Sequence, residues 1–172
     1  MVLSAALLYF DQTKTYQFQE LIDSACFVKF DAKEQVSKYK RLVEKSTVEW
    51  WQKQDKEVQK LSLAPRETDV SAEKGIRVLQ QYIRDHSTEK KEVCWIRGTL
   101  DQVCMDSLCK SVELPFLFDY YQYRDVRTAL DLIKETTKRG YCRIPNFDLK
   151  QVNKHDPVHD VALDAMMLMY GE

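Results

Sequence analysis

The chain opens on Val2-Leu3-Ser4-Ala5-Ala6-Leu7-Leu8-Tyr9-Phe10, a near-continuous apolar run. A strand with one wet face alternates apolar and polar residues; a run without alternation is the pattern of a strand covered on both faces. Such a strand belongs inside a sheet and needs a neighbour on each side. Asp11-Gln12-Thr13-Lys14 gives a polar turn. A second extended segment is then expected across Gln17 to Phe30, pairing with the first as a hairpin or meander. That supplies one neighbour, and nothing upstream in the sequence supplies the other.

Helical signals follow. Lys33 to Glu44 is charge-rich and reads as a solvated helix or loop. Ser46-Thr47-Val48-Glu49 has capping-box spacing, so a helix is expected from there to about Leu61. It carries Trp50 and Trp51, a pair able to stack on bases, although one core indole covered by its neighbour is the commoner arrangement. It also holds Asp55-Lys56-Glu57, the Asp-x-Glu triplet of the sequence, on a polar face. After a loop from Pro65 to Ser71, a helix is expected from Ser71 to Asp85, with Gly75 allowing close packing and His86 as a surface histidine. Lys90 to Gly98 reads as a strand running into a turn, Asp101 to Val112 as a helix, Leu114 to Val126 as an aromatic strand, and Thr128 to Thr136 as a helix ended by Lys138-Arg139-Gly140. Tyr141 to Lys154 is a loop. Strands alternating with helices give an α/β chain with a mixed sheet, and 172 residues fit one domain spanning 1–172.

Composition excludes several classes. Formal net charge is -1, so no global field attracts nucleic acid or anionic lipid, and a phosphate-binding face must be local. The five cysteines lack CxxC spacing and read as reduced, mostly buried thiols of a cytoplasmic protein. No segment is long enough to span a membrane.

The densest chemistry is near the C-terminus, in His155-Asp156-Pro157-Val158-His159-Asp160-Val161-Ala162-Leu163-Asp164-Ala165. Asp156 suits an N-cap and Pro157 the first helical position. His159 and Asp164 lie five apart, and an imidazole so placed could take a proton from a water held through a metal by the carboxylate. His155 and Asp160 share that spacing, but Pro157 interrupts them and no alanine follows Asp160. Asp101, between a strand end and a helix, stands where α/β proteins place ligands; its simpler role is that it or Thr99 caps the helix.

Taken with Trp95-Ile96-Arg97-Gly98-Thr99-Leu100-Asp101, this order resembles the DnaQ-like, DEDDh-type 3′–5′ exonucleases of the ribonuclease H-like superfamily, in particular the phage exonuclease A branch and its bacterial exoribonuclease relatives. Leu100-Asp101 stands at the family's second motif, and His159 to Asp164-Ala165 at its third. Tyr123-Arg124-Asp125-Val126-Arg127-Thr128 and Trp50-Trp51 also match the branch. The resemblance covers nearly the whole chain. It implies a ribonuclease H-like mixed sheet flanked by helices, with His159 as catalytic general base, Asp101 and Asp164 as ligands of two Mg²⁺ or Mn²⁺ ions, and mononucleotides released from single-stranded DNA or RNA 3′ ends. Arg97, Lys138, Arg139 and Arg143 are its candidate phosphate contacts, and a homodimer is a further expectation. One departure stands out. The family's Asp-x-Glu motif lies on its first strand, whereas Asp55-Lys56-Glu57 lies on a helix. The expectation is therefore a chain incomplete at its N-terminus, lacking that strand and two of four carboxylates, with activity impaired. The alternative is a catalytically inactive nucleic-acid-binding or phage accessory protein with the same fold.

Overall fold

The computed structural model describes residues 1–88, 92–135 and 140–172. The apolar opening forms strand β1 (Ser4–Leu7), half-buried rather than covered on both faces. Its expected extended partner is mostly helix. Phe18, Leu21 and Ile22 follow helical spacing, and the Gln17 N–H donates to Glu20 Oε2 at 2.7 Å, so α1 (Phe18–Ser24) forms first and only then β2 (Cys26–Lys29). β1 and β2 do pair antiparallel, Ser4 opposite Lys29 and Leu7 opposite Cys26, but across a helix and not a hairpin turn.

α2 (Ala32–Ser37) is capped by Asp31. The helix expected from Ser46 to Leu61 is two: α3 (Lys45–Gln52) and α4 (Lys56–Ser62). The break lies at Asp55, whose carboxylate accepts the Glu57 N–H at 2.8 Å and so starts a new helix instead of continuing the old one. Ser71 caps α5 (Ala72–His86), whose inner face of Ala72, Ile76 and Leu79 is fully buried. At its end the His86 ring lies between Tyr9 and Tyr82, half-buried.

β3 (Cys94–Ile96) leads through Gly98, at φ +81°, into α6 (Leu100–Ser111). The aromatic strand expected from Leu114 shrinks to β4 (Tyr123–Asp125), because Pro115 and a 3-10 turn at Tyr120–Gln122 occupy the stretch before it. β4 runs parallel to β3, with Trp95 opposite Arg124. α7 (Val126–Ile133) starts two residues earlier than expected, since Asp125 caps it through the Arg127 and Thr128 N–H groups; the expected end at Thr136 and the Lys138-Arg139 stop lie outside the described residues. A loop with a 3-10 turn at Leu149–Gln151 leads to α8 (Pro157–Tyr170), capped by Asp156 with Pro157 first, as the sequence indicates.

The chain is thus α/β, with strands of both orientations. Among the described residues they form two separate pairs, β1–β2 and β3–β4, not the single mixed sheet expected, because no described strand joins the two ladders. α8 packs on β1, β2, α1 and α7 and centres one apolar cluster with Phe18, Leu21, Val126 and Leu130. The second cluster lies between α5, α6 and β2, around Phe30, Ile76, Leu79 and Leu108. All five cysteines are free, and burial raises the Cys94 thiol to about 12 and the Cys109 thiol to about 11. Among the described residues no helix is long and apolar enough to cross a membrane.

Gly75 sets the approach of α5 to β2: a Cβ there would stand 2.8 Å from Val28 Cγ1 and 2.9 Å from Phe30 Cδ1. The Phe30 ring is fully buried and has nowhere to move. Gly75→Ala therefore loses more by overpacking, about 1–3 kcal/mol, than the ~1 kcal/mol it gains in helix propensity. Urea unfolding should show a variant destabilised by up to about 2 kcal/mol; a more stable variant would contradict the tight α5–β2 contact.

Candidate active site

The C-terminal ends of the two parallel strands meet the first turns of α6 and α7 and one face of α8. From β3 the chain delivers Arg97, then Gly98, then Asp101 in the first turn of α6. From β4 it delivers Asp125, whose Oδ1 accepts the Gly98 N–H at 3.0 Å and stitches the two strand ends together. The positive φ of Gly98 makes this turn, and the Arg127 guanidinium lies over it, 3.6 Å from where a Cβ would stand.

Asp164 enters from α8. Arg97 Nε donates to Asp164 Oδ1 at 3.0 Å and Oδ2 at 3.3 Å, and Arg97 Nη2 donates to Oδ1 as well. Arg97 Nη1 reaches the Gly140 carbonyl at 2.9 Å, and the guanidinium lies 4.4 Å from the centre of the Tyr141 ring. The pair is largely shielded, at 17% and 20% side-chain exposure, which makes it more than a loose surface contact.

Two more acids feel Asp164. Asp160 precedes it by one helical turn on the same face of α8. Loss of solvent around its carboxyl, then the charge of Asp164, pushes Asp160 up to about 6, although the residue as a whole keeps an open side to solvent. The Asp101 carboxyl, also on an exposed residue, loses water on its inner side; that and the Asp164 charge raise its pKa, with Arg127 opposing. Desolvation raises Asp164 too, against the pull of Arg97. Asp125 moves the other way: desolvation is outweighed by hydrogen bonds from Thr128, Gly98 and Arg127. These carboxylates occupy different environments within one site, the condition under which acids divide roles.

The structure therefore brings Asp101 and Asp164 into electrostatic contact, as expected, and adds Asp160, Asp125 and Arg127. His159 stands apart from them. Its Nδ1 accepts the Asn153 N–H at 3.2 Å, its Nε2 lies 3.4 Å from Asn153 Nδ2, and its ring packs edge-on against Phe18. Five residues on a helix turn about 140°, so His159 and Asp164 leave α8 in different directions. Of the basic candidates, Arg97 is in the site but spent on Asp164. Arg143 pairs through its backbone with Glu172 at the chain's end, and Lys138 and Arg139 lie outside the described residues. Thr99 occupies the N-cap position of α6 but makes no side-chain cap bond, and Asp101 lies in the first turn rather than at the cap. Asp160 was legible as the i, i+4 partner of Asp164; the signal for Asp125 and Arg127 was their place in the Tyr123-to-Thr128 stretch that matches the branch.

The donors have the right chemistry for a hard divalent ion, which takes carboxylate oxygens. Their arrangement does not fit one: among the described residues no three His, Cys, Asp or Glu side chains are grouped to hold a metal, and Asp164 already has a cation, Arg97.

The family described as the Rv2179c-like 3′-5′ exoribonuclease domain matches residues 2–170. The chain belongs to this family. It is 30% identical over 187 aligned positions to the exodeoxyribonuclease of Enterobacteria phage T4, an alignment covering 99% of this chain and 81% of that protein. No solved structure matches it. Membership of the Rv2179c-like family makes the chain a 3′–5′ exonuclease of the DnaQ-like type, a hydrolase of phosphodiester bonds. Exonucleases of this kind generally use divalent metal ions.

Two outcomes follow from the geometry. Arg97→Met strands the Asp164 carboxylate in a shielded place and should cost about 3 kcal/mol in denaturant unfolding, with the double variant Arg97→Met/Asp164→Leu less destabilised than the single; equal or additive losses would mean that the pair carries no coupling. Asp160 has a folded pKa above its unfolded one, so the folded state holds its proton more tightly and loses stability as pH climbs through about 6. The stability of Asp160→Asn relative to the parent, measured in EDTA, should grow between pH 4 and pH 7; a flat difference would deny the crowding.

Proposed function

We propose that this chain is a 3′–5′ exonuclease that releases mononucleotides from single-stranded DNA or RNA ends, with the Asp101, Asp160 and Asp164 face as its reactive surface. The observation that supports this most is the convergence of acids from three elements of one α/β frame, Asp125 at the end of β4, Asp101 on α6, and Asp160 and Asp164 on α8, at the C-terminal ends of parallel strands, flanked by Arg97 and Arg127. Ligands of open α/β folds bind at that end of the strands. Asp101 and Asp164 are proposed as the acids that face the scissile phosphate. His159 is proposed as general base, a role that requires one ring nitrogen to leave Asn153. Arg127, over the Gly98 turn, is the cation placed to meet phosphate.

The same proposal treats residues 1–172 as one exonuclease-like domain, reads β1–β2 and β3–β4 as parts of a ribonuclease H-like sheet without its Asp-x-Glu strand, and assigns the reduced thiols to a cytoplasmic setting. The family's Mg²⁺ or Mn²⁺ would need donors beyond those grouped among the described residues, and no step is drawn through an ion. That shortfall favours a second reading: a chain that binds nucleic acid and cleaves it poorly. A homodimer is part of neither argument.

A 5′-labelled single strand incubated with the full chain and Mn²⁺ separates the two. Under the first reading, single nucleotides shorten the strand from its 3′ end, and Asp164→Ala slows this by at least about 100-fold. Retarded but uncut oligonucleotide would support the second reading and overturn the first.

A further inference from the structure

Both oxygens of the Asp164 carboxylate are already taken. Oδ1 accepts from Arg97 Nε and Nη2, and Oδ2 accepts from Nε at 3.3 Å. The guanidinium is fastened on its other sides as well. Nη1 donates to the Gly140 carbonyl at 2.9 Å, and the guanidinium carbon lies 4.4 Å from the centre of the Tyr141 ring. Gly140 is itself held. Its N–H donates to Asp131 Oδ1 at 2.9 Å, its φ is +74°, and a Cβ on it would stand 2.7 Å from Arg127 Cβ. Asp131 and Gly140 thus set where Arg97 stands, and Arg97 covers Asp164.

A divalent ion would need the same two oxygens. Mg²⁺ demands several oxygen ligands in near-octahedral geometry and gives up its waters reluctantly. A guanidinium is more weakly hydrated, and its planar fork matches a carboxylate. It compensates Asp164 with no third protein ligand, and among the described residues no such set of ligands is grouped. The two cations exclude each other, because they claim one carboxylate and their charges repel across a shielded space.

We infer that Arg97 is the resident counter-cation of the acidic face: it occupies the place on Asp164 that a divalent ion would take, and keeps such ions off until it is released. The inference takes the acidic face from the exonuclease reading but not the reaction. Competing ligands are coupled, and couplings of this kind commonly change affinity about 5- to 150-fold.

Mn²⁺ binding by the full chain without nucleic acid tests this. Near neutral pH, a titration followed by the electron paramagnetic resonance of free Mn²⁺ should show weak binding by the parent and binding about 10-fold or more tighter by Arg97→Met. In urea, Mn²⁺ should recover stability for Arg97→Met and shift the parent less, since an ion held only by the folded state stabilises it. Arg97→Lys keeps the positive charge and should stay near the parent, and Arg97→Met/Asp164→Leu should lose the gain. Should Arg97→Met not fold, Asp131→Ala loosens Gly140 while leaving Arg97, Asp101, Asp160 and Asp164 in place; it should bind Mn²⁺ tighter than the parent, by a smaller factor. Equal affinity of the parent and the loosened variants, or binding by none of them, overturns the inference, as does a gain that survives loss of Asp164. Nucleotide release is judged apart. Tighter Mn²⁺ binding without any release keeps the inference and defeats the exonuclease reading, whereas release with Mn²⁺ affinity unchanged by loss of Arg97 defeats the inference alone.

Discussion

The Arg97–Asp164 ion pair is the contact on which the site's arrangement depends. β1–β2 and β3–β4 share no ladder among the described residues. α8 packs against the first pair, and Arg97 leaves the end of β3 to reach α8. Alongside the apolar packing of α7 on α8, this guanidinium ties the end of β3 to α8, holds the Gly140 carbonyl and lies against Tyr141. A shielded ion pair contributes little net stability against its desolvation, yet breaking one side is costly. Its role is positional: it fixes where Asp164 points, and with it the field that Asp101 and Asp160 feel.

The same contact makes the site self-satisfied. Asp164 is paired with a cation of the protein's own, while Asp160 and Asp101 carry raised pKa values and, among the described residues, feel Arg97 and Arg127 without an ion pair to either. Catalysis gains when charged groups are held ready for charge that develops in the transition state. An arginine already bonded to an aspartate is held by it instead. A phosphate arriving at this surface would offer Arg97 a second anion, so substrate and Asp164 compete for one guanidinium.

Much of this was legible in the residues. The Asp156-Pro157 start of α8, the Ser71 start of α5, the strand into Gly98 and the close packing at Gly75 all follow from local chemistry that tertiary structure leaves intact. What was not legible had physical causes. Phe18, Leu21 and Ile22 suit a strand by type and a helix by spacing, and Glu20 tipped the segment to helix. Asp55 looked like a solvated helix residue and was a cap. The aromatic residues from Phe116 to Tyr123 favour a strand, but Pro115 and the 3-10 turn left only three residues to pair. At the site, the order of Asp101, His159 and Asp164 was visible, whereas the direction of the His159 ring was set by Asn153 and Phe18, distant or unremarkable in sequence. Asp160 is visible in sequence both as the fifth residue after His155 and as the fourth before Asp164, but the burial that raises its pKa depends on packing that spacing does not encode.

β1 has a further consequence. Its inner edge is bonded to β2, while among the described residues its outer edge carries no strand. The segment is apolar, lacks proline and carries no charge from Val2 to Phe10. Natural sheets guard such edges with lysines, bulges or prolines, because bare N–H and C=O groups recruit strands from other molecules. An apolar edge without those guards is the place on this fold where a strand from another molecule would add its backbone hydrogen bonds.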